Sequence, residues 1–469
     1  MELEESIQLE EPEQTETLVE KEKKIYEVGT LKYTTYGLVI LFIWLLWGDF
    51  CYIMLESVIP RILPLLMKKL NASNQLIGFI LGSLPSIIGI TVMPVLGVIS
   101  DRHRGRWGRR IPFLLITSPV AALFLVLIGF SDKISVWIHS DIISSFINAS
   151  PASVALVTLC SIVAVFHFFN GFMSAMYNYL LPDVVPQQVM GRFISLFRTV
   201  GIIGGVIFSR YIFAKWETHQ HEIFLGVGLI YLATFMLMCW QVKEGKYPPP
   251  PEDFADNGML HNVKTYCREC FSVPFYRWVF LLITLMTLVY CAPFSMLFYQ
   301  ETLKLSAEET GKYIGWIYLL MGIATPFAGF ICDKVNVVRM TPIALFTVAA
   351  LHLLCLWAVH DLTSLYLCGF LLVIPGAIVG VCQMTLCILL LPKAKYGQYM
   401  SAMGIITAIG VIIGNYLAGA FFDLFPNYQL MYLWNGIFEA LACVASVIVF
   451  LNWKKLGGAA NYACPVVVQ

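Results

Sequence analysis

Two carboxylates, Asp49 and Glu56, are the only charges in the stretch YGLVILFIWLLWGDFCYIMLESVIP. An ionisable side chain in so apolar a segment is expensive to keep and marks a solute or proton path by default. Their spacing is about two helical turns, which sets both on one face, roughly 10 Å apart along the axis. Such a carboxylate can accept hydrogen bonds from two hydroxyls or carry a proton through a low-dielectric interior. The plainer alternative is that Asp49 is paired structurally and Glu56 lies near an interface. Farther along, His167, Asn170, Ser174 and Asn178 share one face at one-turn spacing. Arg192 and Arg198 add cations, and Gln383, Asn415 and Asn435 can bind a polar solute or hold helices together. Tyr177, Tyr290 and Trp316 can stack on an apolar ring face, with packing as the competing role. Glu439 is a third, more distant acid. No HExxH, GxSxG or clustered His and Cys occurs, so catalytic machinery is not visible and an enzyme is not expected. Cys267 and Cys270 have only His261 nearby, too few ligands for zinc, and neither metal nor cofactor is expected.

The elements that must hold these groups are membrane spans. The chain is 58% hydrophobic and 13% charged over 469 residues, against roughly 25% charged in soluble domains. Runs long enough to cross a bilayer, about 20 residues each, fall near 35–62, 76–100, 111–130, 153–181, 192–214, 223–242, 276–300, 312–331, 341–359, 363–390, 398–421 and 429–452. Lipid is therefore the expected surroundings, and no nucleic-acid partner is expected. Arg102, Arg104, Arg106, Arg109 and Arg110 follow the second run, and excess Lys and Arg mark cytoplasmic loops. An even number of spans then puts both termini inside, in agreement with Lys21, Lys23, Lys24, Lys32, Lys454 and Lys455; Lys68 and Lys69 are the exception. Sequons at Asn71 and Asn148 fall in expected outside loops.

The chain repeats itself. MPVLGVISDRHRGRWGRRIPF after span two matches TPFAGFICDKVNVVRMTPI after span eight, pairing Pro94, Gly97, Asp101 and Arg102 with Pro326, Gly329, Asp333 and Lys334. GRFISLFRTVGIIGG matches GQYMSAMGIITAIG, pairing Gly191, Ser195 and Gly204 with Gly397, Ser401 and Gly410. The expected organisation is an acidic disordered tail (1–34), a six-helix half (35–242), a cytoplasmic linker with a short interfacial helix (243–275), a second six-helix half (276–452) and a tail (453–469). Two such halves around a central cavity are transporter architecture.

Gly97-x3-Asp101-Arg102 continuing to Gly108-Arg109-Arg110, with a weaker copy from Gly329 to Lys334, resembles the cytoplasmic signature of the major facilitator superfamily. RGRWGRRIPF and LPDVVP are similar to the glycoside–pentoside–hexuronide cation symporters and the sucrose–proton symporters. The resemblance implies an all-α fold of twelve transmembrane helices in two pseudo-symmetric bundles, a multi-pass protein of the plasma or bacterial inner membrane, and a monomer. It implies transport of a small polar solute, a sugar or glycoside, by alternating access. It also implies a cytoplasmic gate of Gly97, Asp101, Arg102, Arg106, Gly108, Arg109, Arg110, Gly329, Asp333 and Lys334, whose charges pair only when that side is closed. WGDF resembles the GKDF-type motif of melibiose-like members, which places a sugar-binding acid on Asp49. The family's span-four acid falls on Asn178 and its sugar-contacting arginine on Arg192, with Arg198 two turns deeper. The two sodium-binding aspartates of that group fall on Gly89 and Met93, so proton coupling through Asp49 or Glu56 is expected instead. Uncoupled facilitation, a non-sugar or lipid solute, and a non-transporting receptor on the same scaffold are the alternatives.

Overall fold

The computed structural model describes residues 25–143, 150–247, 266–289 and 292–465; Asn148, His261 and Tyr290 lie outside them. Twelve helices long and apolar enough to cross a membrane run as α1 (Thr35–Lys69), α2 (Asn74–Thr91), α3 (Ile111–Gly129), α4 (Pro151–Val184), α5 (Gln187–Lys215), α6 (Gln220–Gln241), α7 (Pro274–Thr302), α8 (Ala307–Val335), α9 (Val337–Ala358), α10 (Leu362–Leu390), α11 (Tyr396–Leu424) and α12 (Tyr428–Lys455). Their starts follow local capping chemistry. Ser306 Oγ accepts the Glu309 amide at 3.2 Å while Glu309 accepts the Ser306 amide at 2.9 Å, a reciprocal cap opening α8. Asp361 opens α10 in the same way with Ser364.

Three boundaries differ from the sequence reading. First, α1 continues through Pro60 and Pro64 to Lys69, because its last turn is buried against neighbours and closes on Lys68 and Lys69, cations suited to a helix C-terminus. These two lysines, out of place by charge, are held there: Lys69 Nζ lies 4.2 Å from the Trp216 ring centroid and Lys68 Nζ donates to Asn74 Oδ1 at 3.2 Å. Second, residues at the end of the expected disordered tail form a hairpin, β1 (Tyr26–Val28) with β2 (Leu31–Tyr33), turning at Gly29. The hairpin is tied to the residues after α6, where the Lys246 amide donates to Thr30 Oγ1 at 2.7 Å. Third, the C-terminal segment packs: the Tyr462 hydroxyl donates to the Leu390 carbonyl at 2.9 Å and Tyr276 donates to Pro465 at 3.0 Å. Of the linker, residues 266–271 are helical.

The repeat is visible with one break in symmetry. After α2 the chain makes a turn at Val92 and resumes as a helix over Met93–Arg102, with Pro94 in its first turn, whereas Pro326 sits inside an uninterrupted α8.

The two halves join at the end away from the arginine-rich loop. There α2 crosses α11 and α5 crosses α8, and glycines permit the approach: a Cβ at Gly78 or Gly82 would strike Asn415, one at Gly419 would strike Asn74, and one at Gly311 would strike Ser209. Towards the basic end the same four helices stand apart. Gly191, Gly329, Gly397 and Gly404 face open space, and Ile194, Leu196, Phe327, Phe330 and Ile405 are exposed. The result is a central cavity closed at the far end and open at the basic end.

Candidate functional site

Asp49 is fully buried, and neither carboxylate oxygen has a hydrogen-bond partner among the described residues. It follows Leu38, Leu41 and Leu45 along the buried face of α1. Beside it the Tyr177 hydroxyl donates to the Leu45 carbonyl at 2.7 Å. Glu56, two turns on, is only partly buried and accepts from Asn170 Nδ2 at 2.6 Å. Between them the Tyr52 hydroxyl donates to Ser174 Oγ at 2.9 Å. A polar seam thus joins α1 to α4. It uses the Asn170 and Ser174 positions of the predicted stripe; His167 is buried, its Nε2 without a hydrogen-bond partner among the described residues, and Asn178 is exposed, donating to its own helix at Ser174 O.

The expected site is only partly assembled. Of the two acids it is Glu56 that is the more open and Asp49 that is sealed, since α1 turns Asp49 towards the interior of its own bundle. Tyr177, expected at the solute, is a packing residue: it is 1% exposed, with the Phe235 ring 5.6 Å away and its hydroxyl spent on α1. Arg192 and Arg198 are exposed on the part of α5 that lines the opening and make no ion pair among the described residues. In the second half Gln383 Nε2 donates to Thr287 Oγ1 at 3.1 Å, and the Thr284 and Thr407 hydroxyls lie 3.3 Å apart, neutral pairs that join α7 to α10 and α11. Asn415 holds helices, its side chain pressed against Gly82 and its amide bonded to the Val411 carbonyl. Glu439 is paired with His352 at 2.6 Å between α9 and α12. Trp316 has the Arg210 guanidinium 5.9 Å from its ring.

The arginine-rich loop is organised by acids that sequence inspection passed over. Glu244, just beyond α6, accepts the amides of Arg109, Arg110 and Ile111 at 2.9, 2.8 and 2.7 Å, capping α3 with a carboxylate. Gly108 makes this approach feasible: it has φ +100°, and a Cβ there would stand 2.5 Å from the Glu244 carboxyl carbon. Arg109 grips Asp183 through Nε at 3.0 Å and Nη2 at 2.6 Å, a bidentate pair that raises its already high pKa. Arg110 reaches Asp101, Ser100 Oγ and Asp183. Burial, with Glu244 and Asp183 nearby, pushes the Tyr247 phenol upward, and its hydroxyl donates to Glu244 at 2.9 Å. Every one of these contacts lies within the first half and the start of the linker that follows it, and none reaches the second half, so the charges expected to pair only on closure are paired while the basic end is apart. The signal for Asp183 was present in LPDVVP, its acid standing where α4 ends. In the weaker copy Asp333 is exposed without an ion pair among the described residues, and Lys334 Nζ lies 4.5 Å from the Phe330 ring. Arg102 and Arg106 are exposed.

The closed end has its own lock. Asp423, at the end of α11, accepts the Asn74 and Gln75 amides at 2.8 and 2.9 Å, capping α2 across the two halves. Asn74 Nδ2 donates to the Phe422 carbonyl at 3.0 Å, and Tyr428 donates to Asn74 Oδ1 at 2.7 Å. Ser83 donates to the Ile412 carbonyl at 2.6 Å. Arg61, 5% exposed on α1, donates to the Ser57 carbonyl at 3.1 Å and lies beside Phe208 of α5 and Tyr318 of α8.

Residues 45–429 match the family described as MFS/sugar transport protein. Among curated proteins, the chain is 26% identical over 198 residues to the general alpha-glucoside permease of Schizosaccharomyces pombe, an alignment covering 40% of this chain and 35% of that one. It is 26% identical over 236 residues to human solute carrier family 45 member 4, covering 47% and 29%. The matched segments thus span about a third of each relative's length. Among solved structures, a bacterial homologue of the human lysosomal transporter Spinster, inward-facing and occupied, superposes with a TM-score of 0.67 at 12% identity, covering 89% and 97%. A D-xylose-proton symporter gives 0.56 at 16% identity, covering 87% and 96%. These likenesses establish the fold.

Proposed function

The chain belongs to the MFS/sugar transport protein family, membrane transporters and not enzymes, and we propose that it is a proton-coupled symporter of a sugar or glycoside working by alternating access. Asp49 carries the reading: a sealed carboxylate on α1 with no cation or donor facing it among the described residues. A buried charge is paired or neutralised, and the proton is the species small enough to neutralise Asp49 in this state. The seam of Tyr52, Glu56, Asn170 and Ser174 then serves the solute, offering hydroxyl, amide and carboxylate groups to sugar hydroxyls. Gly89 and Met93, where a sodium site of the melibiose type would need acids, supply no oxygen ligand from their side chains. Support for the solute class comes from the alpha-glucoside permease likeness. By its arginines the open end is the cytoplasmic one, with both termini inside a plasma or bacterial inner membrane. The far-end lock of Asp423 and the open glycines of the basic end are the two faces of a rocking cycle.

The test is uptake of a labelled α-glucoside by proteoliposomes under an imposed proton gradient, with and without sodium. The wild type is expected to accumulate solute with the proton gradient and without sodium. Asp49→Asn keeps the size but cannot carry a proton, and it is expected to equilibrate solute or lose transport while keeping its thermal stability. Accumulation retained by Asp49→Asn would remove Asp49 as the carrier, and wild-type uptake indifferent to pH would identify a facilitator.

A further inference from the structure

On α8, Gly311, Gly315, Tyr318 and Gly322 form the stripe that faces α5. The glycines sit against Ser209, Arg210 and Ile202 respectively, so the two helices run close, and Tyr318 is the large side chain between them. Its ring lies beside Gly205, where a Cβ would come within 2.9 Å of Cδ1 and Cε1. The Arg61 guanidinium carbon is 5.2 Å from the Tyr318 centroid and 5.4 Å from that of Phe208 on α5. Arg61 itself is buried at this junction of α1, α5 and α8, so a ring drawn towards it points away from lipid. Yet Tyr318 is 37% exposed. An exposed ring on the inner side of α8 fits the closed end of the central cavity.

We infer that Tyr318 is a specificity-determining residue, an aromatic plate against which the apolar C–H face of a pyranoside ring stacks, with Arg61 holding the plate from behind. The inference rests on the sugar-transport reading above. The chemistry suits that class: a glucopyranoside with equatorial hydroxyls presents axial C–H groups on each ring face, whereas an open-chain polyol with the same hydroxyls has no such face. Arg61 contributes through a cation–π contact that costs the plate none of its exposed area.

The experiment measures uptake of methyl α-glucoside by the full chain in proteoliposomes, with sorbitol as a competing polyol. Tyr318→Phe keeps the ring and should hold KM within about twofold. Tyr318→Leu should raise KM for the glucoside about three- to tenfold, the range of one aromatic stacking contact. The maximal rate and the inhibition by sorbitol should stay within about twofold; a merely structural role would instead lower the rate for both. Hydroxyl-radical footprinting of the wild type, needing no variant, should show Tyr318 protected by the glucoside. An unchanged KM in Tyr318→Leu, an equal rise in Tyr318→Phe, or no protection in the footprint would each overturn the inference. Absence of glycoside uptake by the wild type would instead overturn the sugar reading, a result visible before any variant is made.

Discussion

Replacing Asp423 by Asn tests what holds the far end shut. Asp423 gives one oxygen to the Asn74 amide at 2.8 Å and the other to the Gln75 amide at 2.9 Å. Asn keeps one acceptor oxygen and loses the charge. A hydrogen bond to a charged group contributes about 1.5–3 kcal/mol and a carboxylate at a helix N-terminus about 0.3–1 kcal/mol. Asp423 is exposed, so the low end applies, and Asp423→Asn should cost roughly 1.5–2 kcal/mol. That contact exists only while α2 and α11 meet, so its loss should favour opening of the far end about 10- to 30-fold. Hydrogen–deuterium exchange reads this directly: amides in 74–83 and 412–423 should exchange faster by that factor, and those at the basic end of α2 and α11 more slowly as the populations shift. Asp423→Glu, which keeps the charge, should restore most of the protection. Faster exchange at both ends would mean loss of stability, and unchanged exchange at 74–83 would refute the lock.

Three further outcomes are expected. Gly108→Ala places a side chain at φ +100° and against Glu244, and should destabilise the protein by about 1–3 kcal/mol, measured as a lower midpoint of thermal unfolding in detergent. Asp101→Asn removes a partner of Arg109 and Arg110; since that pairing holds while the basic end is apart, the change should raise amide exchange in 100–111 and leave solute binding intact, and unchanged exchange there would refute a part for Asp101 in ordering the loop. Glu269, ahead of α7, has its pKa held below 4.5 by Lys395 at 2.7 Å and Gln398 at 2.8 Å on the start of α11. The pairing is therefore at full strength above about pH 4.5 and lost as pH falls through the lowered value, so protection of amides in 266–271, taken against the intrinsic exchange rate at each pH, should fall on acidification and lose that pH dependence in Glu269→Gln.

Much of the architecture could be read along the chain. Twelve runs, their order and the duplicated Gly97–Arg102 motif all follow from hydropathy and short-range pattern, which act residue by residue. Hydropathy ends the first run near residue 62, whereas burial of the following turn and the contacts of Lys68 and Lys69 carry the helix on to Lys69. Arg61 lies within that run, and its place was not legible there because the rings it meets, Phe208 and Tyr318, come from α5 and α8. Asp183 stands in LPDVVP at the end of α4 and Glu244 just beyond α6, and nothing local says that each meets the loop around Arg109.

The sequence by itself determined that this is a twelve-span membrane protein in two related halves, with acids on α1 and a basic loop after α2. Those properties are sums of local transfer free energies and fixed helical spacing, which no distant residue can change. Only the tertiary structure decided that Asp49 is sealed while Glu56 meets Asn170, that Tyr177 packs while the Tyr318 ring meets Arg61, and that Asp423 locks the far end. Each depends on which side chain a second helix, often more than a hundred residues away, brings within about 3–5 Å, and rotation of one helix by a single residue would exchange the roles.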